Sequence, residues 1–148
     1  MSAGLFNNNI DPRKIYYRAG YKYQLVKDYS QQLDLRLPAD IITEYISLSK
    51  SGLLTMFKGY AWDGCSGPTY DDKTNMRGGL LHDGGYQLMR LGLLSQEYRG
   101  FFDRLLKSTC LEDGMWKIRA WYYFEGVDHF AKSSAKLGSN PYPVLIAP

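Results

Sequence analysis

Short-range alternation of apolar and polar residues runs through the first sixty positions and gives way to a helical period beyond residue 74. From Tyr21 to Val26 and from Gln32 to Leu37, aromatic, β-branched and polar residues mix around a polar turn at Lys27-Asp28-Tyr29-Ser30, which predicts two strands. Ile41 to Leu48 and Leu53 to Tyr60 flank Ser49-Lys50-Ser51-Gly52. Gly52 can supply the positive φ of a tight connection, so this pair predicts a hairpin. A first helix then starts near Thr74 or Asn75, either a fair N-cap, and runs to about Leu91. Met76, Leu80, Leu88 and Leu91 form its apolar face and Gly92 terminates it. Ser95 caps a second helix, whose stripe is Phe102, Leu105, Leu106 and Thr109 and whose stop is Gly114. A third, from about Met115 to Ser134, turns Trp116, Tyr123, Val127 and Phe130 toward the core. Pro141 and Pro143 exclude a helix from the tail. These elements predict an α+β fold of N-terminal antiparallel β-hairpins packed against three C-terminal α-helices. The expected unit is a single domain over 1–148, with extended arms at 1–14 and 137–148.

Composition narrows the function classes. With 148 residues, 45% hydrophobic and 15% aromatic, the chain can bury one core. Its net charge of +3 is dispersed, with no basic run, so no nucleic-acid partner is expected. Cys65 and Cys110 lie far apart without metal-ligand spacing, which argues against a disulfide scaffold or a zinc site. The chain start lacks the charged and apolar regions of a signal peptide, and no stretch reaches the roughly 18 apolar residues of a transmembrane segment. Thirteen tyrosines and three tryptophans, clustered as at Ile15-Tyr16-Tyr17 and Trp121-Tyr122-Tyr123, suit core edges and protein interfaces alike.

Potential chemistry concentrates in Trp62 to Arg90, WDGCSGPTYDDKTNMRGGLLHDGGYQLMR. A loop punctuated by glycine and proline precedes an acidic pair, Asp71-Asp72, and then a helix carrying His82, Asp83 and Tyr86. Gly78-Gly79 and Gly84-Gly85 each cost about 1 kcal/mol relative to alanine inside a helix. Their use is close approach of another backbone, a neighbouring helix or a ligand. Asp63, Ser66, His82, Asp83 and Tyr86 are therefore expected to converge, either as a structural polar cluster or as a catalytic site.

Two resemblances attach to these residues. The run GYAWDGCSGPTYDDKTNMRGGLLHDGGYQLMRLGLL, continuing to Arg119-Ala120-Trp121, resembles a family of small tailed-bacteriophage and prophage proteins without an assigned activity. That resemblance implies a virion structural or accessory protein of the neck, tail or baseplate. Its expected partners are other phage virion proteins or further copies of itself, and its expected place is the virion or the host cytoplasm during assembly. The shorter run His82-Asp83-Gly84-Gly85-Tyr86 is similar to the HDxxY helix motif of secreted and parvoviral phospholipases of the A2 type. It implies a calcium-dependent hydrolase with His82 as base, Asp103 as its orienting carboxylate and Tyr86 hydrogen-bonded behind them. Asp83 would bind calcium with carbonyl oxygens of the loop containing Gly64 and Gly67, the oxygen donors a hard cation favours. Without that activity no cofactor is expected. The cysteine framework of those enzymes is absent, and Arg99 and Asp103, four apart, also have the spacing of a surface ion pair.

Overall fold

The chain runs β1 (Ile15–Tyr17), β2 (Tyr23–Gln24), β3 (Tyr29–Gln32), β4 (Ile41–Ile42), β5 (Ile46–Leu48), β6 (Leu53–Met56), β7 (Ala61–Trp62), α1 (Met76–Arg90), α2 (Arg99–Glu112), α3 (Lys117–Phe130) and β8 (Leu145–Ala147). The computed structural model describes residues 15–17, 21–64, 70–130, 135–138 and 144–147. The expected α+β arrangement, antiparallel strands followed by three helices, is the one observed.

The hairpin around Gly52 builds the middle of the larger sheet, whose strand order is β3-β6-β5-β4. Ile46 pairs with Met56 and Leu48 with Leu54, and all four side chains are fully buried. A sheet with one dry face requires that period of two. Gly52 has φ +97°, and a Cβ there would stand 2.4 Å from the Leu33 carbonyl oxygen, so the turn needs glycine. Two smaller antiparallel pairs, β2 with β7 and β1 with β8, complete the strands; residues 145–147 of the tail thus find their partner in the chain's own β1.

Three local expectations change. The turn expected at 27–30 gives way at Tyr29, where β3 begins to pair with β6. Leu33 and Leu35 are buried, yet the strand expected over 32–37 makes single backbone bonds, Leu33 N–H to Gly52 and Leu37 N–H to Lys50, in place of a ladder. The strand expected over 41–48 breaks at Thr43, whose hydroxyl oxygen accepts the Ile46 N–H at 3.0 Å and turns β4 back on β5.

The glycines explain how α1 sits. A Cβ at Gly84 would lie 2.8 Å from the Met56 sulfur, and one at Gly85 only 2.4 Å from the Phe102 ring. Helix α1 is therefore pressed between β6 on one side and α2 on the other. Arg77 ties the layers together: it donates to both Asp113 carboxylate oxygens at 3.0 and 2.8 Å, and to Gln31 of β3 at 3.1 Å. From α3, Arg119 reaches Asp72 at 2.5 Å and covers the Tyr70 ring at 4.5 Å.

Helix ends account for two corrections to the expected core. Leu91 is more than half exposed because the helix stops there: Gly92 takes φ +73° and its N–H bonds back to Met89. Trp116 is 84% exposed, since α3 begins at Lys117 and Met115 takes the buried place beside it. Tyr123 and Val127 are buried as expected, while the Phe130 side chain and residues 131–134 lie outside the described residues. No helix among the described residues is long and apolar enough to cross a membrane.

Candidate functional site

Four residues separate His82 from Tyr86 on α1 and Arg99 from Asp103 on α2, so each pair presents two side chains one turn apart on one face. Close packing at Gly85 brings those faces together. The His82 Nε2 lies 2.8 Å from Asp103 Oδ1, and the Tyr86 hydroxyl donates to the same oxygen at 2.5 Å. Arg99 donates to Asp103 Oδ2 at 3.1 Å. The His82 and Tyr86 rings sit 4.0 Å apart, centre to centre.

Asp103 has no solvent exposure, so the pair with Arg99 is not the surface ion pair that its spacing suggests. Burial alone pushes its carboxyl up; the hydrogen bonds from His82 and Tyr86 and the nearby charge of Arg99 outweigh that and hold it below the usual carboxylate range. An ionised carboxylate can only accept, which assigns the proton on Nε2 to His82 as donor. The other ring nitrogen, Nδ1, makes no hydrogen bond to a described residue. In Tyr86 the opposite shift follows: burial and the bond to Asp103 raise the phenol well above its ordinary value.

Asp83 follows His82 and is turned about 100° around the helix, away from this network. It makes no hydrogen bond to a described residue, and burial pushes its carboxyl up to about 7, with Asp63 adding to the rise and Arg90 opposing it. Asp63 accepts the Lys22 N–H at 3.0 Å. Asp71 accepts the Tyr23 hydroxyl at 2.9 Å and lies against Gly64, where a Cβ would stand 2.4 Å from its carboxylate. Trp62, stacked on Tyr60, buries an indole N–H with no partner among the described residues.

Of the residues expected to converge, His82 and Tyr86 meet directly, with Asp103 between them. Asp63 is close enough to raise the Asp83 carboxyl, but the two are not bonded. Ser66 and Gly67 lie outside the described residues. Arg99 is the member whose importance the spacing understated. Its i,i+4 relation to Asp103 was readable, whereas the burial that makes the bond count is a property of the α1–α2 interface.

Chemically, a histidine whose Nε2–H is held by a buried carboxylate has its Nδ1 lone pair fixed in direction, the arrangement of a general base. Among the described residues no group of three or more His, Cys, Asp or Glu side chains is placed to hold a metal ion. Compared with protein-family models, curated proteins and solved structures, the chain matches none.

Proposed function

We propose that the chain is a hydrolase of lipid esters in which His82 is the general base, with calcium as its metal. The observation that carries this reading is the 2.8 Å bond from His82 Nε2 to the buried Asp103, braced by Tyr86 and Arg99. Asp103 orients the ring and stabilises the imidazolium that forms when Nδ1 takes a proton from water. The resulting hydroxide adds to the ester carbonyl carbon, the bond to the alcohol breaks, and His82 returns its proton to the departing oxygen. Tyr86 and Arg99 are positioning residues, since they act through Asp103.

Calcium, when bound, supplies charge stabilisation for the oxygen of the tetrahedral intermediate. Asp83 would hold it, together with the carbonyl oxygens of Gly64 and Gly67 that the HDxxY similarity implies. Asp83 fits this part: its carboxylate is unbonded to described residues and its ionised form is disfavoured by burial, a condition that a cation relieves.

Fatty-acid release from phospholipid vesicles tests the proposal. With calcium in the millimolar range, wild type should release fatty acid and EDTA should stop it. His82→Ala should lower the rate about 100-fold or more, the usual contribution of a general base, and Asp83→Ala should abolish the calcium dependence. Absence of release by folded wild-type protein, or full activity in His82→Ala, would overturn it.

A second reading, an accessory component of a tailed-phage particle, is favoured by a separate feature. A groove of about 490 Å³ lies between the β4 edge and the α1–α2 connection, lined by Leu37, Ile41, Ile42, Leu93, Leu94 and Tyr98. Its apolar walls suit a segment of another virion protein. Co-purification with intact particles, lost in Ile42→Glu, would support this role, and recovery only from the soluble lysate would count against it.

A further inference from the structure

Helix α3 has two opposite faces of different chemistry. Ala120, Tyr123 and Val127 are buried against the domain. At 100° per residue, Lys117, Trp121, Glu125, Ile118 and Tyr122 occupy a contiguous arc of about 140° on the other side. Ile118 is 83% exposed, and Trp121 and Tyr122 are both more than half exposed. Large aromatic side chains in such a cluster leave apolar area that a partner normally covers.

Lys117 and Glu125, the charged residues of this arc whose side chains are described, point to the partner. Lys117 and Glu125 stand eight residues apart, four to either side of Trp121, and neither makes an ion pair with a described residue. If two α3 helices cross antiparallel at Trp121, Lys117 of one comes level with Glu125 of the other, twice, by symmetry. Trp121 then meets its own copy on the axis. Self-complementarity of one patch is what a two-fold interface requires. A lipid surface would use the aromatic residues and Lys117 but would meet Glu125 unfavourably.

We infer that the exposed face of α3 is the contact surface of an antiparallel homodimer centred on Trp121. The inference is independent of the hydrolase reading, because none of the residues proposed for the dimer contact belongs to the His82 network. Exposed aromatic and aliphatic area from both copies amounts to roughly 1,000 Å², at the low end for a specific interface, so the dimer is reversible and concentration-dependent.

Sedimentation of the full chain between about 1 and 200 μM tests this, a range chosen to span weak association. A monomer–dimer equilibrium is expected, and Trp121→Glu should remain monomeric throughout with unchanged circular dichroism. Lys117→Glu and Glu125→Lys should each weaken the dimer at least about fivefold by placing like charges across the axis, and together should restore most of it. A wild-type monomer at every concentration, a dimer indifferent to Trp121→Glu, or a charge swap that fails to rescue would each overturn the inference. So would binding of a monomer to phosphatidylglycerol vesicles through Trp121, which would assign the face to lipid.

Discussion

Replacing Asp103 with asparagine changes one oxygen into an amide and leaves the volume intact, so its cost measures the network without creating a cavity. In the native protein one carboxylate oxygen accepts from His82 at 2.8 Å and Tyr86 at 2.5 Å, and the other accepts from Arg99 at 3.1 Å. Asparagine can preserve only one side of this arrangement. If its carbonyl serves His82 and Tyr86, its NH₂ faces the Arg99 guanidinium; if it turns over, the NH₂ faces the other two donors. A buried donor left facing a donor costs about 1–3 kcal/mol, and the surviving bonds lose the strengthening that an ionised acceptor gives. Breaking a buried charged pair typically costs about 3–5 kcal/mol. Arg99 is partly exposed and can turn to water, which favours the lower end, about 3 kcal/mol. With a urea slope of roughly 2 kcal/mol per molar for a domain of this size, the midpoint should fall by about 1.5 M. The folded-state carboxyl is held below its ordinary value, so this stability is present above the unfolded pKa and is lost as pH falls through the lower, folded one. The gap between wild type and Asp103→Asn should accordingly hold from pH 7 to about 4 and close in stronger acid. A gap under about 0.5 kcal/mol at neutral pH, the size of an ordinary surface substitution, would refute the reasoning.

Gly85→Ala should destabilise by about 1–3 kcal/mol in urea unfolding: its methyl would sit 2.4 Å from the buried Phe102 ring, and overpacking outweighs the helix-propensity gain of about 1 kcal/mol. Asp83 has the reverse pH signature to Asp103. Its folded-state carboxyl lies at about 7, so the folded protein binds the extra proton below that pH and wild-type stability should decline as pH rises from about 4 through 7. Asp83→Asn should remove that decline in denaturation curves taken across the range, and an unchanged slope would show that the carboxylate is better solvated than its packing indicates. Arg77→Met should loosen the join between α1, β3 and the end of α2, and hydrogen exchange should quicken at Asp113 and Gly114 before it does at Leu81.

Local spacing by itself determined the elements that carry the site. The hairpin at Gly52 followed from a turn requiring positive φ between two apolar runs, and it folds as that hairpin. The helical period places His82 one turn from Tyr86, and Arg99 one turn from Asp103, independently of any tertiary contact. Element ends were less legible. Trp116 and Leu91 fit the apolar stripes, yet both lie where a helix begins or stops, and one residue of shift there rotates a side chain about 100° out of the core.

What only the tertiary structure decided was burial. Arg99-x-x-x-Asp103 has the same spacing whether α2 faces water or another helix, and the difference separates a weak exposed pair from a shielded carboxylate with three donors. The glycines of α1 announced a close approach without naming what approaches; Met56 and Phe102 do so. Those contacts join positions 28 and 17 residues apart along the chain, and no local period specifies which distant side chains will meet.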